Sequence, residues 1–508
     1  MVRWQWRTAA GIVSAGLTVG LAELLAVVFG PDSDPLDAIG RTVVDRTPDG
    51  VREWAITTFG THDKTVLYVG MAVVAVVTAG LIGAVERAAR PSGSILLAVL
   101  GLVTAVFAVN RGGLSAALPT IIGTVAGIFT LRLLIARIGD NKTEDEQLPA
   151  ESGFDRRKVL QAIGITTVAA LATGIGGRIL GAARRDVSGE RAAVQLPRLS
   201  GQPVPVSPEA DLEIPGLAPY LTGNPDFYRI DTALLVPQVS VEDWSLRIHG
   251  MVDNEIHLSW ADLIKRAPIE RLVTLTCVSN PVGGNLVGNA RWLGYRLDDL
   301  LAEARPHPDA DMVLSTSVDG FTAGTPLAVL TDGRDAMLAI GMNDEPLPVQ
   351  HGYPARLVVP GLYGYVSATK WVTELEVTRF DRATAYWTKR GWSARGPIKT
   401  EARIDTPPAK SHLAAGRVPI AGVAWAQHRG IRAVEVQIDD GPWQRARLAA
   451  DQSIDTWRQW VLEWDATPGT HTLRVRATDG AGQTQTSERA DVVPDGASGY
   501  PTRTVQVA

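Results

Sequence analysis

The spacing of apolar positions along the chain changes character three times. Up to about residue 180 they come in long runs: Ala9 to Phe29, Val66 to Val85, Ile95 to Val109, Leu114 to Ile135 and Val159 to Leu180. An α-helix needs about 20 apolar residues to cross roughly 30 Å of hydrocarbon, so the pattern predicts five spans in an all-α transmembrane region over residues 1–182, the third run being the shortest. From Val187 to Gly223 periodicity disappears and Pro, Gly and Ser dominate, which predicts a linker over 183–223. Short alternating strands then mix with helical patches. Trp244 to Ile248 is strand-like, and Trp260 to Arg266 is a helix with Ser259 as its N-cap, so 224–399 is predicted as an α+β domain. After about Thr400 only strands remain. Ala433 to Ile438, Trp457 to Trp464 and Thr472 to Ala477 alternate between Gly, Pro and Asp turns, predicting an immunoglobulin-like β-sandwich over 400–508 without its usual disulfide.

Charge orients the spans. Arg3 and Arg7 precede the first run, Arg87 and Arg90 follow the second, and Arg137, Lys142, Arg156, Arg157 and Lys158 lie between the fourth and fifth. Cationic ends stay in the cytoplasm, which puts the N-terminus inside and everything after Leu180 outside a cell membrane crossed five times. The first run is not read as a signal peptide, because four more follow and no small-residue cleavage site stands after it. In Phe154-Asp155-Arg156-Arg157-Lys158-Val159-Leu160 an arginine pair opens an apolar helix. Ordinary positive-inside charge explains the pair, and so does a twin-arginine export signal, which the segment resembles. Glu23 is the only carboxylate well inside a run, which makes it a functional candidate. No run contains histidine, so bis-histidine haem ligation is excluded, leaving an anchor or docking surface. Between Pro31 and Lys64, the spacing of Leu36, Ile39, Val43 and Val44 fits an amphipathic surface helix with no assigned chemistry.

A chain of 508 residues exceeds one typical domain, and its net charge of -5 leaves no cationic excess for nucleic acid. Its single cysteine rules out intrachain disulfides and thiolate clusters. A lone cysteine is usually a small buried hydrophobe, so the surroundings of Cys277 must decide. It stands in ERLVTLTCVSNPVGGNLVGNARWLGYRLDDLL, where a β-rich run delivers it to a loop of Ser, Asn, Pro and Gly.

That string is similar to the loop of sulfite oxidases and plant nitrate reductases in which Cys-x-x-Asn supplies the metal ligand and Ala-Arg-Trp-x-Gly follows. Here these are Cys277, Asn280 and Ala290-Arg291-Trp292-Leu293-Gly294. A second block, MNDEPLPVQHGYPARLVVPGLYGYVSATKWVTELEV, resembles the family's contacts to the pterin and its phosphate, at His351, Arg356 and Lys370. Phe227-Tyr228-Arg229 resembles the family's arginine near the start of its catalytic domain. The terminal strands resemble its dimerisation domain, which implies a homodimer. The likeness runs from about Phe227 to the end and implies a sulfite-oxidase-type molybdopterin domain with molybdenum-molybdopterin as cofactor and Cys277 as metal ligand. Asn280, Asp319, Ser367 and Thr369 are its implied pterin hydrogen-bonders, and Trp292 a wall of its substrate pocket. The chemistry is coherent: a soft thiolate suits a high-valent metal already held by a dithiolene, leaving positions for oxo groups and substrate. Arg356 and Lys370 flank a turn, Gly361 to Gly364, where backbone N–H groups can approach an anion.

Two departures bear on substrate. Sulfite oxidases follow the cysteine with Gly-Asn-Arg-Arg, but here Ser279-Asn280-Pro281-Val282 omits the arginine. The family tyrosine falls on Trp392 of Trp387-Thr388-Lys389-Arg390-Gly391-Trp392. Arg229 is then the expected cation of the pocket, Trp392 and Trp292 its apolar wall, and a larger or less charged oxyanion or sulfur compound its substrate. No Cys-x-x-Cys-His or cytochrome-like segment is present, which implies an external redox partner, a cytochrome or a quinone pathway. The rival expectations are an S-oxide or N-oxide reductase with the same cofactor, and a non-enzymatic membrane scaffold with a relict cofactor domain.

Overall fold

The computed structural model describes residues 2–30, 33–48, 50–51, 54, 58–59, 63–139, 156–199 and 204–508. Lys142, Phe154 and Asp155 lie outside the described residues. The chain divides into two compact units, Met1–Asp186 and Val187–Ala508.

The first unit is helical: α1 Val2–Phe29, α2 Pro35–Arg46, α3 Asp63–Val85, α4 Ser92–Gly112, α5 Leu118–Ile138 and α6 Arg156–Arg185. Among the described residues, five helices are long and apolar enough to cross a membrane; the run that looked short, at Ile95 to Val109, belongs to a helix of 21 residues. Val73, Val77, Leu81, Leu102 and Val106 are exposed, which suits a lipid solvent and not water. Where helices meet, small residues let backbones touch: a Cβ on Gly11 of α1 or Gly83 of α3 would overlap the facing backbone. Glu23 is buried and accepts from Arg178 Nε and Nη2 of α6 at 3.3 Å, so it ties two helices together. Glu86, just past α3, accepts from the Ser94 amide at 2.8 Å and from Arg132 at 3.1 Å. The amphipathic helix expected near Leu36 is α2, capped by Asp34 Oδ1 on the amides of Leu36 and Asp37.

In the second unit, with β2 Ile256–Ser259, β5 Met312–Ser317, β6 Thr322–Pro326 and β8 Glu345–Pro346 among its strands, β2-β1-β10-β5-β6 form one sheet and β3-β4-β7-β8 a second, on which β9 pairs with β7. Their ranges include β1 Ser245–Gly250, β3 Ile269–Thr276, β4 Val287–Arg296, β7 Met337–Met342, β9 Arg356–Val358 and β10 Val372–Thr378. The helix expected from Trp260 stops after one turn at Leu263, with Ser259 Oγ accepting from the Asp262 amide. From Glu401, strands β11 Glu401–Thr406, β12 His412–Leu413, β13 Gly416–Trp425, β14 Ile431–Ile438, β15 Gln444–Arg445, β16 Arg447–Leu448, β17 Arg458–Ala466, β18 Gly469–Asp479 and β19 Thr502–Val507 build two sheets, β11-β13-β17-β16 and β12-β19-β18-β14-β15. Ile404, Ile420, Val434, Trp460, Leu473 and Val505 are among the core residues of this sandwich. β14 Ile431–Ile438, β17 Arg458–Ala466 and β18 Gly469–Asp479 cover the three segments whose alternation predicted strands.

The sandwich also braces the strand that matters most. Gln427 Nε2 donates to Thr274 O and Thr276 Oγ1 of β3, both at 3.0 Å, and the Trp457 amide donates to Thr274 Oγ1 at 2.7 Å. Residues 204–223 do not hang free as a linker would. Tyr220 and Ala210 are buried, and the amides of Ser207 and Leu212 donate to Gln452 and Gln459 of the sandwich side. Apolar residues set among the prolines give this segment its own hold on the core.

Candidate active site

β3 ends at Thr276 and delivers Cys277 into a tight loop. The Cys277 amide donates to Leu286 O at 2.9 Å, the Asn280 amide to Cys277 O at 3.1 Å, and the Leu286 amide to Asn280 Oδ1 at 2.9 Å. A Cβ on Gly284 would strike Asn280 Oδ1 and Pro281, so glycine lets the loop close. Asn280 therefore holds the loop in shape and is not itself a lining residue, while Cys277, Val278 and Ser279 face a pocket of about 870 Å³, counting the space open at its mouth. Burial pushes the thiol of Cys277 up, opposed by hydrogen bonds from Ser279.

The opposite wall comes from the chain between β8 Glu345–Pro346 and β10. Arg356, on β9, is buried, and its guanidinium reaches only carbonyl oxygens, His351 O at 3.1 Å, Ala368 O and Leu357 O at 3.4 Å. No carboxylate pairs with it among the described residues, and burial lowers its pKa to about 10. A buried cation without a counter-ion is costly, and an anion from outside would relieve that cost. Lys370 stands beside it, 2.8 Å from Asp231 Oδ2 and 3.2 Å from Gln350 O, its pKa lowered to about 8 by burial against the pull of Asp231. Gly352, at φ 114°, lets the segments carrying both cations close up, since a Cβ there would lie 3.0 Å from Arg356 Cβ and 3.1 Å from Lys370 Cβ. His351 is held to about 4 by burial and then by the charge of Arg356. It is neutral at pH 7. Its Nε2 lies 3.2 Å from Asn224 O, which assigns the proton to Nε2 and leaves Nδ1 an acceptor.

Aromatic rings complete the lining: Phe227, Tyr228, Phe321, Tyr365, Trp387 and Trp392. Trp392 lies 5.8 Å from Tyr365 and 6.2 Å from Trp387, ring centre to ring centre. Asp231 and Asp319 are the lining carboxylates, and Asp319 Oδ1 is fixed by the Phe321 amide at 3.3 Å.

Cys277, Asp319, His351, Arg356, Lys370 and Trp392 thus meet in one pocket, as the sequence led us to expect of that set. Four expectations need correction. Trp292 is no wall: it is fully buried, its Nε1 donates to Val273 O at 3.1 Å, and it lies beneath Arg356 and edge-on to Phe227. Ser367 and Thr369 are also fully buried off the lining, their hydroxyls used on Tyr363 O at 2.9 Å and on Ser315 Oγ at 2.7 Å. Arg229 does not line the pocket itself: its guanidinium pairs at 2.8 Å with Asp231, a lining carboxylate that Lys370 also meets. Gly364 lines the pocket, but Gly361 packs on Arg334 and His428. Tyr228 was missed. It sits beside the expected arginine but faces Cys277, and its phenol pKa is raised by burial and then by the Cys277 thiolate charge.

Among the described residues no three His, Cys, Asp or Glu side chains cluster to hold a metal by themselves. A metal held here by one thiolate must arrive with most of its ligands, on a cofactor carrying an anionic tail that Arg356 and Lys370 can meet. The residues present fit such a group.

Comparison with known proteins points the same way. Residues 233–387 match the family model described as oxidoreductase molybdopterin binding domain. Mitochondrial sulfite oxidase of Mus musculus is 28% identical over 312 residues, covering 52% of this chain and 56% of that protein. The uncharacterized oxidoreductase YuiH of Bacillus subtilis is 31% identical over 153 residues, covering 30% of this chain and 74% of that protein. The chain spans about half the length of the sulfite oxidases it matches. Among solved structures, the sulfane dehydrogenase SoxCD from Paracoccus pantotrophus is 24% identical, covering 53% of this chain and 77% of that one, with a TM-score of 0.47.

Proposed function

The chain belongs to the sulfite oxidase family of molybdopterin-dependent oxidoreductases, and from that premise we propose that Val187–Ala508 transfers an oxygen atom from water to a sulfur compound at a molybdenum bound by Cys277 Sγ. One observation carries the reading: the only thiol of the chain and the buried Arg356 guanidinium, which has no carboxylate partner among the described residues, face the same pocket. When bound, the cofactor supplies two-electron redox chemistry and the place where oxygen is transferred. The chain does the rest. Arg356 gives a fixed fork and Lys370 a point charge to the phosphate. His351 Nδ1 accepts from a pterin N–H, and Asn280 keeps the loop of Cys277 from relaxing. The Tyr228 phenol, held protonated, is a hydrogen-bond donor within the pocket.

With Arg356 and Lys370 facing the phosphate and Arg229 paired with Asp231, no further cation stands among the described lining residues for a sulfite dianion. Losing one buried charge-assisted contact costs about 1.5 to 3 kcal/mol, roughly tenfold to over a hundredfold in affinity. The aromatic lining and the carboxylates of Asp231 and Asp319 favour an uncharged or singly charged sulfur compound. Steady-state assays with a one-electron acceptor, comparing sulfite with an uncharged dialkyl sulfide, test this. A low-micromolar KM for sulfite contradicts the substrate reading, and turnover seen only with an S-oxide and a reductant reverses the direction.

The five apolar helices anchor the chain in the membrane, with the second unit on the outer side. Arg156 and Arg157 open α6 as a twin-arginine signal, suited to a domain that must be exported with its cofactor already inserted.

A further inference from the structure

The mouth of the pocket is apolar on its outside. Among the described residues of the second unit six large apolar side chains are exposed: Ile230, Leu235 and Val318, with Ile264, Ile454 and Val493. The first three belong to two segments of the pocket wall. Ile230, Asp231 and Thr232 line it and run on to Leu235, and Val318 stands between the lining residues Ser317 and Asp319. The segments touch, Thr232 Oγ1 donating to Asp319 Oδ2 at 3.4 Å. Ile230, Leu235 and Val318 are 46, 45 and 50% exposed, so aliphatic surface gathered about one entrance is left without protein cover. The first segment is also fixed to the place where the chain enters the unit. Just past Leu235, Gln238 Oε1 accepts from the Val187 amide at 3.3 Å, and Ser240 Oγ and the Val241 amide donate to Glu190 at 2.6 and 2.8 Å. Val187 opens the second unit, two residues after α6 ends at Arg185, and is buried in one core cluster with the lining residue Phe227. Three residues of extended chain reach at most about 11 Å, so Leu235 stays close to that entry point.

What covers such a surface follows from where the chain comes from. Seven residues separate Val187 from Leu180, the end of the last apolar run, which is about 10 Å at a helical rise and little more than the depth of a headgroup layer. A surface tethered that near to lipid needs little affinity of its own, because the tether keeps the effective concentration of lipid high. We propose that the pocket mouth rests on the outer lipid surface, with Ile230, Leu235 and Val318 among the headgroups, and admits a sulfide with an alkyl tail directly from the bilayer, a step that rests on the molybdopterin and membrane readings above. The rings of Phe227, Phe321, Trp387 and Trp392 in the lining suit an alkyl chain. A dialkyl sulfide and one water give the sulfoxide, two protons and two electrons, and the electrons pass singly to two molecules of a one-electron acceptor.

Molybdenum-loaded full-length chain in discs of zwitterionic phosphatidylcholine tests both parts. A nitroxide on Leu235→Cys reports depth, and one on Asp440→Cys, a fully exposed position of the sandwich, is the aqueous reference. Wild-type chain taken through the same labelling gives the background from the buried Cys277. We expect oxygen, which dissolves in lipid, to relax the label at Leu235→Cys more than a water-soluble nickel chelate does, with the reverse at Asp440→Cys. Turnover with a one-electron acceptor is then compared for dodecyl methyl sulfide carried in the disc and for water-soluble methylthioethanol. The double variant Leu235→Ser, Val318→Ser should lower kcat/KM for the long-chain sulfide about tenfold and leave the soluble one unchanged, which excludes damage to the pocket. A Leu235→Cys label open to nickel overturns the proposal. So does a label screened from both reagents, which would mean a protein partner on this face, and so does a double variant that treats the two sulfides alike. A chain that never contains molybdenum overturns the cofactor reading instead, and a loaded chain that oxidises neither sulfide overturns the sulfur-compound reading, with the label still deciding whether the mouth meets lipid.

Discussion

The guanidinium carbon of Arg356 lies 5.1 Å from the centre of the Trp292 ring. A cation in a buried site can rest on the electron-rich face of an indole where no carboxylate is available, and this contact holds Arg356 toward the pocket without neutralising it. The family-like Ala-Arg-Trp element thus acts from behind the site.

Trp292→Ala should therefore cost about 3 to 5 kcal/mol of stability, the usual loss for a buried tryptophan, and Trp292→Phe much less, because a ring remains beneath the guanidinium. Urea unfolding followed by tryptophan fluorescence measures both. Unchanged stability with an altered KM alone would return Trp292 to the pocket wall.

Arg356→Met should empty the site. Replacing the fork with an apolar chain of similar length is expected to cut retained pterin by about tenfold or more, measured as the fluorescence of the oxidised pterin per mole of protein. The cofactor-free variant should melt no lower than cofactor-free wild type, since an unpaired buried charge has been removed. Wild-type pterin content in the variant would contradict the phosphate assignment.

Acid should expose His351. Its pKa near 4 lies below the ordinary value of 6.5, so the unfolded chain takes up the proton first. Stability from this group is complete above about pH 6.5 and is lost as pH falls toward 4, by on the order of 3 kcal/mol. Unfolding measured at pH 7 and 4.5 should show a shallower loss in His351→Gln. An identical loss in the variant would mean that the histidine is not what the acid titrates.

The parts of this molecule that were legible from sequence are those governed by period and local chemistry. Run length marked the long apolar helices, alternation marked β14, β17 and β18, and the loop of Cys277 was readable from its Asn, Pro and Gly. What sequence could not give is the side to which a residue turns. Tyr228 and Arg229 are neighbours, yet the phenol lines the pocket while the guanidinium pairs with the lining carboxylate Asp231 and is not itself a lining residue. Ser367 and Thr369 looked like ligand donors because hydroxyls are cheap to read, yet short-range carbonyls and a neighbouring hydroxyl claim them. The Pro-rich segment looked free because its prolines hide the apolar residues that fasten it.

The proposed export signal is open to a direct experiment. Protease added outside spheroplasts should cut the unit after Leu180 in wild type and fail to reach it when Arg156 and Arg157 are both replaced by Lys. Protection of that unit in wild type would overturn the topology.

The most direct test of the central claim is X-ray absorption at the molybdenum edge of the purified chain and of Cys277→Ser. Oxygen is a hard donor where sulfur is soft, and the substitution nearly preserves volume, so cofactor held by Arg356 and Lys370 should remain. Molybdenum in the wild-type chain, with one sulfur fewer around it in the variant and turnover lost, is the result expected. A sulfur count unchanged between the two proteins, or a wild-type chain purified without molybdenum, would contradict it.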